Sequence, residues 1–427
     1  MNTLPFISTN ADLFERVSLL AADKNSDEFT TASLMDPGRA LGILNLEMPE
    51  LVCLDFSDAN FDAFSLMRNI MADPWIFHGG IIALCGSYDH YVRLEEITGA
   101  NIIVVIMAED LENRFPKVIN IVRNNSRILF QRELGMDLVR NISGSFKLEN
   151  DPLEASCFAN LVSNFLCNAN RIGQDEKPVL TTAIFEMLMN AIEHGNCGIT
   201  YEEKSAWLEH GEPIQKLIDL KNRNPAVAAK RVTFEYAILP ECARFFVADE
   251  GTGFDWRGFV SGERKAAELE LHGRGIVMAK HLMLNLRYNE AGNEVSFEIA
   301  YPEDVSVKTP SLFRFIGPQT VSPGQVVFRN GEPGNFMYYI VKGQYDVVVN
   351  DWVVSTLSPD DVFMGEMAFL LNNKRNATVK ARTAGTLIPI SKEDFVKAVK
   401  RKPHYALFLS RLLAQRIERF NRRASGA

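Results

Sequence analysis

No apolar run in the 427 residues reaches the roughly 18 needed to cross a bilayer as a helix, which excludes a helical membrane span. The opening residues, MNTLPFISTNADLFER, lack a basic segment leading into an apolar one, so no secretory leader is expected. The six cysteines form no C-x-x-C pair. That excludes a zinc ribbon and, with no leader, points to buried thiols in a reducing cytoplasm. Positive charge is also short. Forty-five Lys and Arg against 54 Asp and Glu leave a net charge of -9, which argues against nucleic-acid binding by the chain as a whole. There is no fixed-period repeat and no long low-complexity segment.

What is present divides into three parts. Residues 1–128 alternate short apolar strands (LVCLD from Leu51, GIIALC from Gly80, NIIVVIM from Asn101) with stretches of helical spacing, the mark of a parallel doubly wound domain. Residues 129–305 read as α+β. An alternating strand, ISGSFKLEN, precedes two helical runs, then strands at 232–238, 242–248 and 293–301. Charged residues 200–230 have helical spacing and suggest an inserted arm with a solvated face. Three prolines between residues 309 and 323 mark the second boundary. Residues 306–427 are rich in short strands and Gly/Pro turns, as in a small barrel or jelly roll, and end in a basic amphipathic helix.

Three segments of the central part carry chemistry. In EMLMNAIEHGN, Glu186 and Asn190 are four apart and share a helix face. The amide oxygen suits a hard cation such as Mg²⁺, and the carboxylate suits a proton acceptor. Taken alone, the segment is equally a surface helix face. In DEGTGFD, Asp249 ends a strand and can accept from an exocyclic amine, while Gly251 and Gly253 let backbone approach a ligand. In HGRGI, Gly273 and Gly275 flank Arg274 at a helix start, where backbone N–H groups can face phosphate.

In this order the segments resemble the N, G1 and G2 boxes of the GHKL ATPases, whose fold is the Bergerat α/β sandwich, and most closely those of the anti-sigma-factor serine kinases. The resemblance covers about residues 141–301, apart from 200–230. It implies Asp249 on the adenine amine, Asn190 on Mg²⁺, Glu186 as general base, Gly273 and Gly275 at the phosphates, and Arg274 in a lid. His194 belongs to the pattern and reads as a packing residue. None of the seven histidines lies in an H-[DE] context on a helical hairpin ahead of this domain, which argues against a sensor histidine kinase.

In the last part, MGEMAFLLNNKRNATV places Glu366 nine residues before Arg375. An arginine can clamp a phosphate, a carboxylate can accept a ribose hydroxyl, and Gly365 lets the turn approach a sugar. Gly365, Glu366, Ala368, Arg375 and Ala377 fall in register with the phosphate-binding cassette G-E-x-A-x(6)-R-x-A. The segment thus resembles a cyclic nucleotide-binding domain over about residues 312–400, taking cAMP or cGMP. Asn376 departs from the small residue usual there and is expected to bear on selectivity. The terminal helix reads as a lid with a solvated basic face, and too few residues follow for a helix-turn-helix.

The first part, through MPELVCLDFSDANFDAF, resembles a flavodoxin-like response-regulator receiver with Asp55 at the phosphorylated position. Its chemistry is missing. Ser8, Thr9 and Asn10 stand where an acidic pair would hold Mg²⁺, Cys85 stands for a Ser or Thr, and no lysine follows the strand at residues 101–107. A pseudo-receiver for dimerisation or docking is expected. The whole reads as a cytoplasmic signalling protein in which a cyclic nucleotide controls a Ser/Thr kinase of the anti-sigma type. Its partner would be an anti-sigma-factor antagonist or a sigma factor. The alternative is a non-catalytic module that sequesters its partner.

Overall fold

The computed structural model describes residues 2–22, 29–34, 36–47, 49–72, 79–97, 99–125, 128, 142–253, 283–302, 310 and 313–424. No helix among them is long and apolar enough to cross a membrane.

Five parallel strands open the chain: β1 (Asn2–Ile7), β2 (Phe29–Leu34), β3 (Leu51–Asp55), β4 (Gly80–Cys85) and β5 (Ile102–Met107). They pair in the order β2-β1-β3-β4-β5, the doubly wound order whose ligand crevices lie at the carboxyl ends of the strands. Every residue of β3 and β4 is buried, as expected where helices cover both faces and the strand has no polar side. The helices α1 (Ala11–Ala21), α2 (Pro37–Glu47), α3 (Ala63–Ala72), α4 (Tyr88–Glu95) and α5 (Leu111–Asn124) supply that cover. Asn10 caps α1 by accepting from the Leu13 N–H at 3.0 Å.

The second sheet is antiparallel, in the order β6-β7-β8-β10-β9, from β6 (Ile142–Leu148), β7 (Val232–Ile238), β8 (Cys242–Ala248), β9 (Met283–Tyr288) and β10 (Glu294–Ala300). Its strands alternate buried and more exposed residues, so only one face is packed. Two helices, α6 (Pro152–Asn168) and α7 (Glu176–Asn190), accompany it. Asp151 caps α6 and Pro152 occupies its first turn, where a missing N–H costs nothing.

Helix α6 is buried around most of its circumference because it also packs on β5, the edge of the first sheet. Asn160 and Asn164 donate to the edge carbonyls of Ile103 and Ile102 at 3.0 and 3.2 Å, and Lys177 donates to Ala100 at 2.7 Å. One apolar core therefore runs from Leu4 and Phe6 through Ile103, Phe115 and Phe165 to Phe245.

Residues 200–230 fold as α8 (Tyr201–Glu209), α9 (Ile214–Lys221) and α10 (Pro225–Ala228). The helical expectation holds, but the arm is more than a solvated face. Leu217 and Ile218 are buried in the same core, each stabilising the docked arm by about 1.5–3 kcal/mol.

The last part is a sandwich of two four-stranded sheets, β11-β18-β13-β16 and β12-β17-β14-β15. Its strands are β11 (Gln319–Val321), β12 (Val326–Phe328), β13 (Phe336–Lys342), β14 (Tyr345–Val349), β15 (Trp352–Leu357), β16 (Phe363–Met364), β17 (Thr378–Ala381) and β18 (Gly385–Ser391). A short α11 (Glu366–Leu370) interrupts them, and α12 (Lys392–Arg401) and α13 (His404–Ala424) close the chain. Tyr405, Phe408, Leu409 and Leu412 of α13 enter the core between helix and sheet.

Candidate nucleotide sites

The central site begins on α7. Glu186 and Asn190 lie one turn apart, and both are partly exposed. The helix then widens into a π turn, Ala191–Asn196, closed by the Cys197 N–H on the Ile192 carbonyl at 2.9 Å. Such wide turns recur at functional sites because they re-aim backbone groups.

The reason for this turn lies in Gly195. A Cβ there would stand 2.2 Å from the carboxyl carbon of Asp249, and one at Gly251 would stand 2.2 Å from the Gly195 carbonyl oxygen. Only two glycines let the turn and the loop after β8 meet. Gly253 holds φ +78°, and a Cβ there would lie 1.9 Å from the Ala291 carbonyl oxygen. The loop is fixed from behind as well. Asn196 accepts from the Glu250 N–H at 2.9 Å and donates to Asn150 at 2.8 Å.

Asp249 accepts from the Gly251 N–H at 2.8 Å. Burial pushes its carboxyl up to about 6, partly offset by that hydrogen bond and by Lys230. Burial also raises Glu186, with Lys204 opposing and Glu193 adding. His194 lies 2.6 Å through Nδ1 from the Ile199 carbonyl, and burial lowers its pKa, so it packs as a neutral ring. Gly273, Arg274 and Gly275 lie outside the described residues.

The second site lies in the sandwich. Gly365 holds φ +75°, and a Cβ there would meet the Arg375 guanidinium at 2.3 Å. Arg375 is 4% exposed and donates to the carbonyls of Gly365 and Phe336 at 2.6 and 2.5 Å. Its guanidinium lies 4.2 Å from the Phe328 ring centre, and its Nε has no partner. Burial lowers its pKa. A buried cation bonded to neutral carbonyls, with its Nε–H unpartnered, suits an anion.

Glu366 is also buried, and Arg416 of α13 pairs with it while donating to the carbonyls of Asp361 and Phe363 at 2.5 and 2.7 Å. Its carboxylate is thus occupied by the terminal helix. Ala368 and Ala377 are buried, and Asn376 is exposed.

Asp55 of the first domain is fully buried. It accepts from Ser8 Oγ at 2.7 Å, from the Ser57 N–H at 2.8 Å and from Ser57 Oγ at 2.5 Å. Asp58 takes both donors of Thr9, with its hydroxyl at 2.7 Å. Cys85 lies 3.3 Å from the Met107 sulfur, and burial pushes its thiol up to about 11. Asp55 is thus surrounded by hydroxyls, a thiol and a second carboxylate, Asp58, where a transferred phosphoryl group would need cations.

Sequence reasoning missed Asn150, Lys204 and Lys230. Asn196 stood in the quoted motif, and its amide role was the available signal. The two lysines lie in the arm, whose helical spacing alone does not show which face is turned inward.

Residues 148–299 match the histidine kinase-like ATPase domain, and residues 318–402 match the cyclic nucleotide-binding domain. The cGMP-dependent protein kinase of Plasmodium berghei is 40% identical over 78 residues, 18% of this chain and 9% of that protein. The type II regulatory subunit of the cAMP-dependent protein kinase of Drosophila melanogaster is 32% identical over 108 residues, 24% of this chain and 28% of that one. The chain spans under a third of either relative. The catabolite activator protein of Thermus thermophilus is 22% identical, covering 27% of this chain and 55% of that chain, with a TM-score of 0.25. The chain thus joins a histidine kinase-like ATPase domain to a cyclic nucleotide-binding domain.

Proposed function

We propose that the protein is a cyclic-nucleotide-controlled protein kinase that moves the γ-phosphoryl group of ATP to a serine or threonine of a partner protein. The observation that carries this reading is the meeting of Asp249 with the Gly195 turn, which continues the helix that bears Glu186 and Asn190. The half-buried carboxylate of Asp249 suits the exocyclic amine of adenine. Glu186 lies one helical turn before Asn190 on the same helix. A carboxylate raised by burial is a better proton acceptor than an exposed one, so it fits removal of a hydroxyl proton during attack on the γ-phosphorus.

The partly exposed amide oxygen of Asn190 beside a carboxylate is a hard-oxygen donor set, which fits Mg²⁺. The metal would be held there and would neutralise phosphate charge. In this reading the first domain, with Asp55 enclosed by hydroxyls, serves docking, and the partner is an anti-sigma-factor antagonist or a sigma factor.

The test is Glu186→Gln with radiolabelled ATP and candidate partner proteins. Phosphotransfer should fall by about 10²–10⁴-fold while ATP affinity by calorimetry stays within about twofold. Absence of transfer by the wild-type protein, with and without cyclic nucleotide, would favour partner sequestration without catalysis.

A further inference from the structure

The inserted arm fastens to the nucleotide site at both of its ends, and both ends reach the same six-residue turn, Ala191–Asn196. At the near end, Thr200 caps α8 by accepting from the Glu203 N–H. One turn into that helix, Lys204 donates to Glu193 at 2.5 Å. Glu193 is 2% exposed, so this ion pair is largely out of water. At the far end, Lys230 donates to the carbonyl of Asn196 at 3.2 Å.

The body of the arm is held down between them. Lys221 pairs with Glu203 at 2.8 Å, Asn222 donates to the Asn150 carbonyl at 3.0 Å, and Asn150 donates to the Val227 carbonyl at 2.9 Å. Asn150 also accepts from Asn196, which in turn accepts from the Glu250 N–H. Glu250 adjoins Asp249, and the Asp249 carboxylate rests against Gly195. Each link from Lys204 and Lys230 to Asp249 is therefore a packed or hydrogen-bonded contact.

We propose that Lys204 and Lys230 are positioning residues for base recognition: by pinning the turn from both sides they hold Asp249 where it accepts from the amine of adenine. The inference rests on the assignment of Asp249 as the adenine acceptor. Losing Lys204 removes the ion pair that ties α8 to Glu193, so the turn keeps only its tie to Lys230 from the arm. Any shift of the turn then moves Gly195 against the Asp249 carboxylate on which it packs. Among the described residues the titratable groups around the turn include Lys204, Glu203, Lys221 and Lys230 of the arm, Glu186 of α7, Glu193 and His194 of the turn, Cys197 at its end, and Asp249 across from them.

The experiment is calorimetric binding of ATP and inosine triphosphate to the full chain. The inosine nucleotide carries a carbonyl where adenine carries the amine. Wild type should prefer ATP. Lys204→Met and Lys230→Met should each weaken ATP by about tenfold and leave inosine triphosphate nearly unchanged, so that the preference collapses. Lys204→Arg should restore it. Cyclic nucleotide affinity on the same preparation reports that the chain is folded. Lys230→Met carries the test if Lys204→Met fails to fold, read well above the pKa of Asp249 so that the lost Lys230 charge does not protonate that carboxylate. A wild-type preference kept in both Met variants, equal loss of both nucleotides, or no rescue by Arg would overturn the inference. A wild type and Asp249→Asn that both treat the two nucleotides alike would instead overturn the adenine assignment.

Discussion

The two candidate nucleotide sites of this chain are built in opposite ways. The central one is shaped by missing side chains: Gly195 and Gly251 create the surface that Asp249 faces, and its charged group is held in place by backbone. The C-terminal one is shaped by side chains that already hold one another. Arg375 is bonded to carbonyls of its own turn, and Glu366 is paired with Arg416 from the last helix. In the proposed reading a ligand would enter the first by filling space, and the second by exchanging contacts the protein makes with itself. Affinity at the first should therefore respond to steric change as well as to the charge of Asp249, and at the second to the charge of Arg375.

The sharpest break of that contrast is Arg375→Ala. Removing the buried cation bonded to the Gly365 carbonyl should lower cyclic nucleotide affinity by about a hundredfold or more, measured by calorimetry with cAMP and cGMP. ATP binding should not change. A variant that still binds either cyclic nucleotide within tenfold of wild type would show that Arg375 serves the fold instead. Gly195→Ala is the converse. Its methyl group has nowhere to go but into the Asp249 carboxylate, so ATP affinity should drop by roughly tenfold or more while cyclic nucleotide binding holds. Equal affinity in that variant would mean that the turn and loop part easily, and that the close fit does not position Asp249.

Much of this contrast could be read from the chain itself. Glu186 and Asn190 follow from a four-residue spacing, and the strand before Asp249 from its alternation, because both depend on local periodicity. The glycines were legible as points of close approach, but what approaches them was not. Gly195 was quoted within a motif without a role, since its contact with Asp249 joins residues 54 apart in sequence. The arm shows the same limit. Its charges suggested a solvated face, whereas Leu217, Ile218 and the lysines at its two ends turn inward. Helical spacing fixes which residues share a face, and only tertiary packing decides what that face meets. Arg416 on Glu366 was hidden for the same reason, across 50 residues, while the cassette from Gly365 to Ala377 was plain because its parts are adjacent.

The smallest effect concerns protons, and it separates the two sites without any mutation. Asp249 titrates near 6 because burial disfavours its anion, whereas Arg375 stays cationic throughout the accessible range. The amine of adenine needs an acceptor, so the ionised carboxylate is the competent form. Below pH 6 Asp249 is increasingly protonated in the free protein, and ATP binding must release that proton. Affinity for ATP should then rise with pH through 6 and level off above 7. Between pH 7 and 5 the ionised fraction falls by roughly tenfold, which sets the expected loss. Cyclic nucleotide affinity over the same interval should stay flat, because its phosphate is already an anion and its guanidinium already a cation. Calorimetry in two buffers of different ionisation enthalpy at pH 5.5 would register the released proton directly. Finding none there, with ATP bound, would mean that Asp249 is ionised before the nucleotide arrives, and that the surrounding protein already supplies the stabilisation here assigned to adenine.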